Sequence, residues 1–248
     1  MNEAKLQRQW MKSNFTEWDD IKSDQEKKLP QPSLQKPYNE SDELIDLPEI
    51  SEKILKKTNI LAIIKDRKSH RKHIEESLSL EELSFLLWAT QGVKTVSANN
   101  YATMRTVPSG GARHPFETYL VINRVKGLKK GVYLYLPLTH QLTFLFHEED
   151  LEGKLTELTL GQSFVGKSAA TFIWSCIPYR GEWRYHVSAH KTMLLDAGHL
   201  CQNLYLACEA IGCGTCAIGA YDQIAIDKFL RIDGEDEFVV YLAPVGKI

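Results

Sequence analysis
Apolar and polar positions alternate along this chain in two distinct rhythms. Thr118–Val125, Val132–Leu136, Leu142–Phe146, Thr171–Ile177, Cys213–Ile218 and Glu237–Leu242 read as strands, the second and third forming a hairpin around Thr139-His140-Gln141. Helical spacing marks Ile60–Lys65, a segment opened by Ser79, a segment after Asp222, and a long helix over about Ser188–Ile211. In that long helix Leu194, Ala197, Cys201, Leu204, Cys208 and Ile211 form one apolar stripe, and Gly212 ends it. Ser79 followed by Glu82 is a capping box, with Leu78 and Leu83 placed as a hydrophobic staple and Gly92 as a stop. Residues 94–116 are rich in Ser, Asn, Gly and Pro and read as a long functional loop. Strands and helices do not alternate regularly, which predicts an α+β fold rather than a doubly wound sheet.

The first 45 residues differ from the rest. Lys28–Tyr38 holds three prolines and no periodicity, so it is extended. Trp10, Phe15 and Trp18 give this stretch aromatic anchors that a solvated tail does not need, so residues 1–45 read as an arm on the body or on a partner, and 46–248 as the domain. A chain of 248 residues buries enough surface to need no disulfides, and five cysteines, an odd number bunched between Cys176 and Cys216, do not form a secreted framework. A net charge of −2 gives no reason to expect nucleic acid or an anionic membrane. With no spanning apolar run and no apolar core in MNEAKLQRQWMKSNF, the expected location is the cytoplasm.

Several motifs fail their own mechanisms. Gly212–Ala217 matches G-x-G-x-x-A, but follows a helix and precedes a strand, the reverse of a dinucleotide fold. Cys208, Cys213 and Cys216 have an iron–sulfur spacing without a following fourth cysteine, so they read as core thiols. His186 and His190, four apart on an expected helix, match no zinc motif even with Glu182 beside them, and no metal is expected.

Other motifs point to a phosphate. Lys65–Lys72 holds five cations against one acid. In extended backbone Arg67, Ser69 and Arg71 face one side, two guanidinium forks and a hydroxyl that suit a phosphate. Pro108-Ser109-Gly110-Gly111 and Ile218-Gly219-Ala220-Tyr221 carry little bulk, so their backbone can approach a flat ligand.

The order Arg67-x-Ser69-x-Arg71, LLWATQGV, RTVPSGGARHPFETYLVI, GVYLYLPLTHQL, then LLDAGHLCQNLYLACEAIGCG and Ala217–Tyr221, resembles the SagB-type branch of the nitroreductase family over residues 30–248. The resemblance implies a central, mostly antiparallel sheet flanked by helices, with an extended N-terminal arm, and a homodimer binding FMN at the subunit interface. Carried over, it places Arg67, Ser69 and Arg71 on the phosphate, ribityl or pyrimidine edge, and Lys247 near the phosphate. Pro108, Ser109, Gly110 and Gly111 come from the partner against the ring, with Gly219 and Ala220 at N5 and O4. It implies an FMN-dependent oxidoreductase moving hydride or electrons to or from a small molecule, with NAD(P)H as donor. The alternatives are a dehydrogenase converting azoline to azole in a peptide, and a flavin-binding subunit whose FMN does not turn over. In azoline-oxidising members a Lys-Tyr pair precedes the long helix and serves proton removal; here the matching pair is Arg184-Tyr185. These are the candidate catalytic residues. Lysine can be desolvated into a neutral base whereas arginine stays protonated, so Arg184 suits an anionic substrate.

Overall fold
A computed structural model describes residues 3–248 except 14, 19, 40 and 41; the side chain of Trp18, one of the expected anchors, lies outside the described set. The helices are α1 (Glu3–Gln7), α2 (Ile60–Asp66), α3 (Leu80–Gln91), α4 (Leu151–Leu158), α5 (Ser163–Gly166), α6 (Tyr179–Tyr185), α7 (Ala189–Ile211) and α8 (Gln223–Leu230). The strands are β1 (Leu44–Asp46), β2 (Val93–Val96), β3 (Thr103–Arg105), β4 (Phe116–Ile122), β5 (Gly131–Leu136), β6 (Gln141–Phe146), β7 (Ala170–Cys176), β8 (Cys213–Thr215) and β9 (Phe238–Lys247).

Seven strands form one sheet in the order β1-β6-β5-β4-β7-β9-β8, every neighbouring pair antiparallel. The period-two pattern sends alternate residues to two cores. Phe116, Leu120 and Ile122 of β4 join Phe172 and Trp174 of β7 under α3 and α7. Tyr119, Val121 and Ile173 meet Leu155 of α4 and Phe229 of α8 on the other face. Covered on both faces, β4 and β7 are buried along their whole length.

The capping box forms as the sequence predicts, Glu82 N–H donating to Ser79 and the Glu82 carboxylate accepting from the Ser79 N–H, with Leu78 and Leu83 fully buried beside it. Gly212 caps α7 in the left-handed region at φ 70°, and a strand follows it.

Four expectations need correcting. The loop expected over 94–116 contains the β2–β3 hairpin, because Val93, Thr95 and Val96 favour a strand and the positive-φ pair Asn99 and Asn100 turns the chain. The last strand runs on to Lys247, pairing Val245–Lys247 with Thr215–Cys213 of β8. Leu194 is 63% exposed, because Met193, four residues before Ala197, takes the buried place at the start of the stripe, while Ala197, Cys201, Leu204, Cys208 and Ile211 are buried as expected. His186 stands at φ 55° in the break between α6 and α7, so it and His190 do not share a helix face.

The arm docks on its own chain. Gln25 N–H donates to the Trp183 carbonyl at 2.8 Å, and the Trp183 indole donates to the Leu29 carbonyl at 3.0 Å. Arg105 donates to the Leu34 carbonyl at 2.9 Å, and Lys36 N–H donates to Glu117 at 2.7 Å. The Lys36 ammonium pairs with Glu237 and donates to the Tyr119 hydroxyl. The end of the arm at residue 45 falls inside edge strand β1. Trp10 lies tilted against His190, ring centroids 6.3 Å apart, over a cavity of about 420 Å³ that Phe15 also lines.

Candidate functional site
The cation segment begins where α2 ends. Asn59 caps that helix, and Lys57 pairs with Asp66 at 2.9 Å and with Glu209 of α7 at 2.5 Å, tying the helix to α7. Residues 67–74 then run extended across the ends of β8 and β9, with His70 N–H donating to the Thr215 carbonyl at 2.9 Å and Ile74 N–H to the Lys247 carbonyl at 3.0 Å. Glycine is required beneath this strap: a Cβ on Gly214 would stand 2.6 Å from the His70 side chain, and one on Gly246 2.7 Å from that of His73.

Tyr205 of α7 organises the strap. Its hydroxyl lies 2.9 Å from Ser69 Oγ and accepts the Ala217 N–H at 2.8 Å, while the Arg67 guanidinium sits over its ring at 5.2 Å. One side chain therefore couples the Arg67–Ser69 segment to the backbone that leads into Gly219 and Ala220. Arg71 is exposed and makes no hydrogen bond or ion pair among the described residues. Gly219 and Ala220 are exposed, and a Cβ on Gly219 would meet open space.

Lys247 sits differently. It is buried and its ammonium pairs with the carboxylate of Glu82, the capping-box residue. Burial, the largest single influence, acts to lower this group, but the Glu82 hydrogen bond and the surrounding negative charge together outweigh it and the net shift is upward. Its charge is already committed.

The second group of expected site residues gathers near the other end of α7. Gly110 N–H donates to the Asp196 carboxylate at 3.1 Å, and Ser109 Oγ accepts from His114 N–H at 2.9 Å. Burial raises the Asp196 carboxyl, opposed by hydrogen bonds from Ser109 and Gly110. Gly111 has φ 60°, and a Cβ there would stand 2.5 Å from the Tyr185 hydroxyl and 2.9 Å from Arg184 Cδ. The small residues of this loop thus admit α6 and α7 of the same chain. Arg184 lies over the Tyr185 ring at 5.3 Å and donates to the Tyr101 hydroxyl at 2.9 Å. Asp196 and Tyr205 are nine residues apart on one helix, about 13 Å along its axis.

A profile described as the nitroreductase family matches residues 64–247. The chain belongs to the nitroreductase family. It is 32% identical over 203 residues to a Methanocaldococcus jannaschii protein named as a nitroreductase, covering 82% of this chain and 96% of that one. It is 30% identical over 171 residues to the trifolitoxin-processing protein of Rhizobium leguminosarum bv. trifolii, covering 64% of this chain and 45% of that one. Its fold matches a Ralstonia eutropha nitroreductase structure with TM-score 0.68 and 24% identity, over 88% of this chain and 94% of that one. This is a nitroreductase-family oxidoreductase.

Sequence reasoning missed Tyr205, Asp196 and Tyr101. The signal that could have found Tyr205 is a polar aromatic placed next to Leu204 of the apolar stripe of α7. The buried cysteines are free, and burial pushes the thiols of Cys201 and Cys213 up to about 12 and that of Cys208 well above its ordinary value. Among the described residues no helix is long and apolar enough to cross a membrane, and no three His, Cys, Asp or Glu side chains gather as a metal site.

Proposed function
We propose that this chain is an FMN-dependent oxidoreductase of the SagB type, acting on a small molecule as a cytoplasmic homodimer with NAD(P)H as donor. The observation that carries the reading is Tyr205, which ties the Arg67–Ser69 strap to the Ala217 backbone. The residues fit the cofactor. Arg67, Ser69 and Arg71 offer two guanidiniums and a hydroxyl, and neither guanidinium is paired with a carboxylate among the described residues. The open backbone at Gly219 and Ala220 leaves room for a flat ring. When bound, FMN supplies the hydride and electron chemistry, and the protein sets its orientation and access. Arg67, Ser69 and Arg71 hold its polar end, and Gly219 and Ala220 border its ring. Lys247, its ammonium paired with Glu82, backs the strap through its carbonyl, which accepts the Ile74 N–H. Pro108, Ser109, Gly110 and Gly111 of a second copy close the ring from the other side, with residues 46–248 as the flavin domain and 1–45 as its arm. Arg184 and Tyr185, stacked on each other beside Gly111, face the substrate.

Flavin released from the purified protein by heat tests this reading: FMN is the expected species. FAD, or a colourless protein that FMN does not reconstitute, refutes it. Anaerobic mixing of the yellow protein with NADH or NADPH bleaches the flavin under the reductase reading.

The likeness to the trifolitoxin-processing protein favours a second reading, dehydrogenation of a peptide azoline. Incubation of the FMN-loaded protein with an azoline peptide under oxygen separates the two. A peptide lighter by two hydrogens, with no bleaching by NAD(P)H, selects the dehydrogenase.

A further inference from the structure
A cavity of about 590 Å³ opens at one end of the sheet, on residues that neither the cation strap nor the glycine loop uses. Its floor is set by strand register. Phe116 pairs across to Cys176, and Cys176 to Phe238, so the ends of β4, β7 and β9 form a continuous apolar surface. A bulge between Trp174 and Ser175 sets this register at the end of β7. Met193 of α7 closes the floor, and Phe116, Cys176 and Met193 are all buried. Burial pushes the Cys176 thiol up, so it behaves as an apolar group there.

The walls are acidic. Glu182 of α6 is held by His190 of α7 at 2.6 Å through one oxygen, which leaves the other free to accept. Glu235 and Asp236 stand on the rim, their backbone N–H groups fixed by Asp233 at 2.8 and 2.9 Å. Among the described residues no lysine or arginine lines the cavity. Lys36, which reaches the neighbouring Glu237, has its ammonium taken by Glu237 and Tyr119.

Volume and lining together describe a small-molecule site, since such sites run roughly 300–1,000 Å³ and are mostly apolar with a few placed polar groups. Charge then selects the ligand. An anion meets three like charges, and a neutral apolar molecule strips water from carboxylates without replacing it. We propose that this cavity binds a small organic cation with an apolar body, an aralkyl amine in chemical class. Its hydrocarbon rests on Phe116, Met193 and Phe238, and its positive end meets Glu182, Glu235 and Asp236. The proposal is independent of the flavin reading.

Calorimetric titration of the full chain with phenethylamine tests it, with phenethyl alcohol and phenylpropionate as neutral and anionic comparators. The amine binds saturably, about tenfold or more tighter than the alcohol, and the carboxylate gives no binding. Glu182→Gln combined with Asp236→Asn weakens amine binding by about fivefold or more, with flavin content and melting temperature unchanged. Raising the salt concentration weakens amine binding to the unaltered protein, a readout that needs no variant to fold. Equal affinity for amine and alcohol, no saturable amine binding, or amine binding insensitive to salt overturns the proposal.

Discussion

Removing one oxygen from Tyr205 tests whether the site is a single mechanical unit. Tyr205→Phe keeps the ring, and with it the Arg67 guanidinium at 5.2 Å, but deletes the hydroxyl shared by Ser69 and Ala217. Two hydrogen bonds go. The exposed Ser69 hydroxyl recovers water, so its loss costs about 0.5 kcal/mol, the low end for a hydrogen bond. The Ala217 N–H is half-buried and loses its acceptor, which costs about 1–3 kcal/mol. The expected destabilisation of the flavin-free protein is therefore roughly 1.5–3.5 kcal/mol, a fall in Tm of about 3–14 °C for a chain of this size. Flavin affinity falls further, because the strap and the 217–220 backbone are no longer held to one another. Differential scanning calorimetry of the apoprotein and fluorescence titration with FMN read the two effects separately. Tyr205→Leu, which also removes the cation–π contact, loses about 0.5–1 kcal/mol more. A Tyr205→Phe protein with wild-type Tm and wild-type FMN affinity refutes the coupling.

Arg71→Ala weakens FMN binding by roughly 10–150-fold, the loss of one charge-assisted hydrogen bond, with Arg67→Ala as the second test; flavin titration with unchanged affinities removes both residues from the site. Arg180 and Glu117 form an ion pair at 2.5 Å with both side chains almost fully buried, so Arg180→Met strands a carboxylate and costs about 3–5 kcal/mol in urea unfolding. His114 is held down to about 3 by burial and by the neighbouring Arg105 guanidinium. Its imidazole is neutral in the fold and charges more readily when unfolded, so its contribution is complete above pH 6.5 and is lost as pH falls from there toward about 3. Unfolding free energies measured across that window are expected to fall with acid less steeply in His114→Gln.

The legible parts of this protein are those where local chemistry and global packing agree. Ser79 and Glu82 spell the capping box, Gly212 the end of α7, and Val132–Leu136 with Leu142–Phe146 the hairpin, because each signal lies within a few residues of its effect. Cations and small residues point by local composition to Arg67, Ser69 and Gly219, which enter the proposed flavin site. What was not legible depends on contacts far apart in sequence. Gly110 and Gly111 read as space for a ligand, yet α6 and α7 already claim that space through Thr192, Arg184 and Tyr185. Lys247 reads as a phosphate ligand, yet its ammonium pairs with Glu82, 165 residues away in the chain. Tyr205 serves Ser69 and Ala217 only because the strap crosses β8, and no periodicity announces that crossing.

The length of α7 bears on how such a site is completed. Tyr205 carries the cation strap and Asp196 carries the glycine loop, about 13 Å apart on a helix that does not bend them together. A flat cofactor seated on the strap therefore does not also touch the Pro108–Gly111 loop of the same chain unless it spans that rise. The loop is itself occupied on its inner side by Asp196 and Tyr185, so only its outer side, where Pro108 is exposed, is free for a ligand. Leu194 and Leu195, 63% and 56% exposed, lie just before Asp196 on α7, and the open flank of Gly198 lies between Asp196 and Tyr205. An exposed apolar stretch beside the loop half-site is what a two-fold pairing of α7 with its copy would cover, bringing the strap of each subunit opposite the loop of the other. On that arrangement dilution releases flavin and dissociates the dimer in one transition, and Leu195→Glu lowers flavin retention from a position that touches neither half-site. Sedimentation and flavin absorbance followed on the same samples read it: a Leu195→Glu monomer that keeps its FMN at wild-type affinity rules out a shared site.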